Sequence, residues 1–145
     1  MIAASHDVQA ELVESRFDEA LLHLQRACRK RTLLVVITNL IDDRNAASLR
    51  RHLMPTVGRH LPLVALLRDP AVSAPLEAWE SAGGVPAADD PSLYRAAAAA
   101  DVMLWRRQQL SDLAHAGVLT LDVKPAGLTA AVVNEYLAIK ARHLL

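Results

Sequence analysis

The chain has 145 residues, 52% of them hydrophobic, with 16 basic and 16 acidic side chains and a formal net charge of zero. That apolar content suits a single folded domain over residues 1–145 and argues against a disordered chain. Charge balance disfavours a dedicated nucleic-acid or anionic-membrane surface, and an aromatic content of 3% disfavours base-stacking platforms.

The one cysteine, Cys28, leaves no internal disulfide and fits a reducing, cytoplasmic setting. It reads as a buried, inert thiol on a helix. No apolar run approaches the roughly 18–20 residues needed to span a bilayer. The N-terminus lacks the basic-then-apolar pattern of a signal peptide.

In chain order, residues 1–14 read equally as a short helix or an irregular arm, with Val8, Leu12 and Val13 as its apolar members. A helix is expected from Ser15, which has capping-box spacing to Asp18. Phe17, Ala20, Leu21, Leu24 and Cys28 then form one apolar stripe. Arg26, Arg29, Lys30 and Arg31 crowd its end, where the helix dipole favours cations. This cluster reads as a solvated helix end rather than a phosphate site. Leu33 to Ile37 is an unbroken apolar run rich in β-branched residues, the pattern of a strand buried on both faces. Asp42-Asp43 leads into a helix over about 44–58, with Ala46, Leu49, Leu53 and Val57 inward and Gly58 near its end.

Leu61 to Leu67 is a second strand, with Pro62 tolerable at its start. Residues 70–89 are rich in proline and contain Gly83-Gly84. They read as a long loop, with one helical turn around Leu76–Trp79 and Trp79 pinning it. A long helix is predicted over 91–115, capped by Asp90, started by Pro91 and ended by Gly117. Tyr94, Ala98, Val102, Trp105 and Leu113 are its expected core residues. Val118 to Val123 is the third strand. Thr129 is expected to cap a last helix over about 130–143, with Val133, Tyr136, Leu137 and Lys140 on one side.

Strands alternating with helices predict an α/β domain with a parallel sheet of about three strands and right-handed crossovers, in a three-layer sandwich. The helices at 44–58 and 91–115 should share one face, and the first and last helices should cover the other. A strand as apolar as 33–38 should not sit at an open edge. The N-terminal arm, further chain or self-association into a homo-oligomer would close it.

Six words carry a resemblance. They are Arg31-Thr-Leu-Leu-Val-Val-Ile-Thr38, Arg59-His60, Leu67-Arg-Asp-Pro70, Tyr94-Arg-Ala-Ala-Ala98, Gly117-Val-Leu-Thr-Leu-Asp122 and Val133-Asn-Glu-Tyr-Leu-Ala-Ile-Lys140. In order and spacing, over about residues 12–145, the chain resembles the C-terminal half of the bacterial von Willebrand factor A-like family called domain of unknown function 58. The resemblance implies a partial von Willebrand factor A, Rossmann-like domain holding the last three strands of that fold. It implies a binding or assembly role beside a MoxR-type AAA ATPase, in larger proteins that can be membrane-anchored.

A-domains often bind Mg²⁺ at the C-terminal ends of their strands, where open α/β sheets place their ligands. The ligands are an Asp-x-Ser-x-Ser group, a loop Thr and an Asp after the fourth strand. This sequence has no Asp-x-Ser-x-Ser, and Asn39 of the Thr38-Asn39 pair stands where the Asp is typical. Asn keeps a carbonyl oxygen but loses the negative charge, so neither a metal nor another cofactor is expected in this chain alone. Asp42 and Asp43 read as a helix-cap pair. Arg68, Asp69, Asp122 and Lys124 converge on the same edge, and with Thr38, Asn39, Asp42 and Asp43 they make a candidate binding rim. An Arg68 pairing with Asp69 or Asp122 would pin its loops.

Enzyme signatures are missing. There is no Gly-x-Gly-x-x-Gly, no Walker loop and no Gly-x-Ser-x-Gly elbow. Of the six histidines, His23, His52, His60 and His115 fall in or beside helices and read as surface or half-buried. None has metal-ligand spacing to another His. The expected function is therefore a non-enzymatic protein-interaction module without its own metal and without nucleic-acid or membrane partners. A metal-dependent adhesion-type domain would need an Asp-x-Ser-x-Ser motif upstream. A small α/β enzyme would need a pocket at Asn39, Asp69 and Asp122 with a strongly shifted carboxylate.

Overall fold

The computed structural model describes residues 16–39, 42–84 and 91–145. The expected arm at 1–14 and the caps at Ser15 and Asp90 lie outside them. The elements run α1 (Phe17–Ala27), β1 (Leu33–Thr38), α2 (Asp43–Leu53), β2 (Leu61–Leu67), α3 (Pro70–Ser81), α4 (Pro91–His115), β3 (Leu119–Val123) and α5 (Leu128–Ala141). The strands form one parallel sheet in the order β1-β2-β3. Val36 pairs beside Val64, and Leu66 beside Asp122. The fold is the expected three-layer α/β sandwich.

The core lies on one face of that sheet. Leu21 of α1, Ala46, Leu49 and Leu53 of α2, and Leu113 of α4 close over Val64 and Leu66. α1 therefore packs beside α2, and the expectation that it would cover the opposite face is corrected. On that opposite face alternation puts Val35, Ile37, Leu63, Ala65, Leu119 and Leu121. α5 alone, among the described helices, lies over it, with Ile139 buried.

This one-sided cover overturns the reading of β1 as buried on both faces. β1 is an edge strand, and Val35 and Ile37 are 40% and 51% exposed. β2 is the doubly buried strand, with Leu63, Val64, Ala65 and Leu66 inaccessible to solvent.

The proline-rich stretch read as a loop is the helix α3. Asp69 is its N-cap, its Oδ1 accepting from the Ala71 N–H at 2.8 Å, and Pro70 occupies the first turn, where its missing N–H costs nothing. Pro75 lies inside the helix and removes one backbone bond, so α3 is held by packing on α4 against its own propensity. Trp79 is a half-buried α3 residue, not a loop pin. α4 has the expected ends, but it buries Ala96, Ala99, Arg106 and Leu113 and leaves Tyr94, Ala98 and Val102 exposed. After it, Gly117 takes φ +86°, and Val118 N–H donates to the Leu113 carbonyl at 3.0 Å. The positive φ favours glycine here, and a Cβ at Gly117 would stand 3.2 Å from Val57 Cγ1, a tight contact that the valine would have to yield to.

Smaller corrections follow from local geometry. α2 ends at Leu53 and tightens into a 3₁₀ turn at Met54–Thr56, because Pro55 cannot continue an α-helix. Gly127, not Thr129, is the N-cap of α5, and no side chain caps it. Cys28 is half-buried at the end of α1 rather than buried. His60 is 1% exposed at the head of β2, and both ring nitrogens lack a hydrogen-bond partner among the described residues. An unsatisfied buried polar group costs about 1–3 kcal/mol.

Candidate functional site

Parallel strands deliver their following loops to one rim, so the residues after β1, β2 and β3 meet there. Register makes this specific. Leu66 lies beside Asp122, so Arg68, two residues after Leu66, lies on the Asp122 side of the sheet. Its Nη2 donates to Asp122 Oδ2 at 2.7 Å. The other oxygen, Oδ1, accepts from Arg106 Nη2 at 3.1 Å.

Arg106 is the centre of the site. Its side chain is 3% exposed. Nη2 also donates to the Leu67 carbonyl at 3.1 Å, and Nη1 to Asn39 Oδ1 at 3.3 Å. One guanidinium from α4 thus ties together the ends of all three strands. A planar fork with several fixed donors suits this task better than a lysine. Sequence reading missed Arg106, although a signal was present. Ala99, Arg106 and Leu113 are spaced by seven on α4, which puts the arginine on the buried stripe.

Asp122 lies between opposing influences. Burial pushes its carboxyl up, but hydrogen bonds and charge from Arg68, and then from Arg106, outweigh burial and hold it below the ordinary carboxylate range. A carboxylate locked between two guanidinium groups is a weak base.

The remaining predicted rim residues serve the scaffold. Asp42 caps α2, its Oδ1 accepting from Asn45 N–H at 2.8 Å, and that backbone hydrogen bond lowers its pKa. Asp43 Oδ1 accepts from Trp105 Nε1 at 2.7 Å. Asp69 caps α3 and takes no part in the arginine network. Lys124 Nζ pairs with Glu77 Oε1 at 3.0 Å, and a hydrogen bond from Lys124 lowers the Glu77 pKa. Thr38 is half-buried at the end of β1. The cavity beside the network, lined by Arg68, Glu77, Arg107 and Asp122 among others, holds about 140 Å³. Binding sites for small organic ligands are typically about 300–1,000 Å³.

Among the described residues no group of three or more His, Cys, Asp or Glu is placed to hold a metal. No described helix is long and apolar enough to cross a membrane. Comparison with protein-family models, with curated proteins and with solved structures finds no match.

A second surface has a different character. On α5, Val133, Tyr136 and Leu137 are exposed at three- and four-residue spacing, forming a flank beside the buried Ile139 stripe. With right-handed crossovers this flank turns toward β1, whose Val35 and Ile37 are exposed on the same face. Arg31 Nε donates to the Leu144 carbonyl at 3.2 Å and ties the end of α5 to the start of β1.

Proposed function

We propose that this chain is a non-enzymatic protein-interaction module of von Willebrand factor A type, with a MoxR-type AAA ATPase as its partner. The observation that carries the interaction role is the exposed apolar flank of α5, Val133, Tyr136 and Leu137. Clustered apolar exposure beside charged residues marks interaction surfaces. The rim supports the non-enzymatic half of the reading. Both Asp122 oxygens are engaged by arginines, and the adjoining cavity is small. Family and partner rest on the sequence words alone.

The test is calorimetric titration of the chain with a purified MoxR-type ATPase from the same cells. Binding is expected, and Leu137→Glu, on an exposed helix position, should weaken it at least roughly tenfold with an unchanged circular dichroism spectrum. No heat of binding would remove the ATPase as partner. Binding indifferent to Leu137→Glu would remove the α5 surface.

A further inference from the structure

The free edge of β1 is unlike that of an ordinary exposed strand. Leu33-Leu34-Val35-Val36-Ile37-Thr38 contains no charge and no proline, and among the described residues it pairs only with β2. Edge strands are normally blunted by lysine, proline or a bulge, because their unpaired N–H and C=O groups recruit another strand. The other edge, β3, has five residues and carries Asp122.

Charge around β1 is polarised along the strand. Before it stand Arg29, Lys30 and Arg31, all exposed. No carboxylate among the described residues pairs with these cations. After the strand stand Asp42 and Asp43, also exposed, followed by the exposed Arg44, which leaves this end acidic by one charge. A strand basic at one end and acidic at the other is self-complementary to an antiparallel copy of itself, which is the geometry a two-fold axis produces.

We infer that two copies of this chain pair through β1, antiparallel, into one continuous six-stranded sheet. Val36 would lie on the two-fold axis. Opposed residues must share a face, so Val35 lies across from Ile37 of the second copy, a β-branched pair repeated by symmetry. The same register sets the basic turn at Arg29–Arg31 alongside the second copy's Asp42 and Asp43, twice. Helices on both faces and a mixed sheet are common in α/β proteins. The pairing uses the strand edge, whereas the partner surface proposed above uses the flank of α5, so either can fail without the other.

The test is sedimentation equilibrium of the full chain across low-micromolar to hundred-micromolar concentrations. A monomer–dimer equilibrium is expected, weakening as salt rises. Ile37→Lys sets a charge against the second copy's Val35 and should give a folded monomer. Arg29→Glu should weaken the dimer roughly tenfold, through like charges brought together, and Arg29→Glu with Asp43→Arg should restore it. Asp43→Arg alone reports any cost of losing the Trp105 contact. A monomer at every concentration would overturn the inference. So would a dimer that survives Ile37→Lys, because its interface would then lie elsewhere.

Discussion

β1 and β2 are nearly the same strand in composition and opposite in environment. β1 reads Leu-Leu-Val-Val-Ile-Thr and β2 reads Leu-Pro-Leu-Val-Ala-Leu-Leu. Yet β2 has solvent-inaccessible side chains on both faces, and β1 exposes Val35 and Ile37. An apolar, β-branched run specifies a strand that prefers burial. It does not specify how many neighbours the strand receives, because cover comes from helices distant in sequence. α1, α2 and α4 close one face of this sheet, and α5 alone, among the described helices, covers the other, over β2 and β3.

The comparison breaks most sharply under a buried charge. Val64→Asp puts an unpaired carboxylate into the closed core of β2, at a cost on the order of 4–5 kcal/mol, enough to unfold a domain of ordinary stability. Ile37→Asp, with the side chain half in water, should cost about 1 kcal/mol or less. Val36→Asp, on the core-facing side of the edge strand, should fall between them. Urea unfolding in dilute protein ranks the three. Equal effects of Val64→Asp and Ile37→Asp would mean that β1 is covered as fully as β2.

The strand ends repeat the contrast through one arginine. On the β2–β3 side Arg106 meets a half-buried carboxylate, and on the β1 side an exposed amide. Asp122→Ala leaves two guanidinium groups without their anion, one of them almost fully buried. The loss should be roughly 2–3 kcal/mol, below the figure for a fully buried pair because Arg68 and Asp122 keep some solvent contact. The sign with pH follows from the lowered pKa. The folded carboxyl binds its proton less readily than the unfolded one, so its contribution is complete above the unfolded value near 3.9 and fades as pH falls through the lower folded value. Wild type should therefore lose stability below about pH 4, and an Asp122→Asn variant should lose less there. Urea midpoints from pH 7 to pH 2 read this. Parallel curves would show that Asp122 does not carry the acid lability.

Much of this architecture was legible in the residues. β2 was read with its final boundaries because Pro62 and the Arg68-Asp69-Pro70 stop punctuate it, and α4 because Pro91 and Gly117 mark its ends. An Arg68 pairing at this rim was legible, with Asp69 or Asp122 as the partner, and the strand register selects Asp122 while Asp69 caps α3. α3 was not, because proline at a first turn and proline as a breaker look alike until a packing partner decides between them. Arg106 was missed because an arginine in a polar stretch of helix reads as solvated. Only its seven-residue spacing to Ala99 and Leu113 gives it away.

The smallest expected effect isolates the β1 side of the site. Asn39 is exposed, and its Oδ1 meets Arg106 Nη1 at 3.3 Å, at the long end for a hydrogen bond. Arg106 retains Asp122 and the Leu67 carbonyl when that bond is lost, and water reaches the vacated position on the exposed side. Asn39→Ala should therefore change stability by about 0.5 kcal/mol or less. Asn39→Asp sharpens the point. It adds a second carboxylate within reach of Arg106, and the guanidinium favours its charged form. A small gain in stability at neutral pH that disappears near pH 3 would show that Arg106 is the cation of this rim. A loss at neutral pH would show that Asp122 alone already balances the buried guanidinium, and that the β1 end of the sheet tolerates an amide but not a second negative charge.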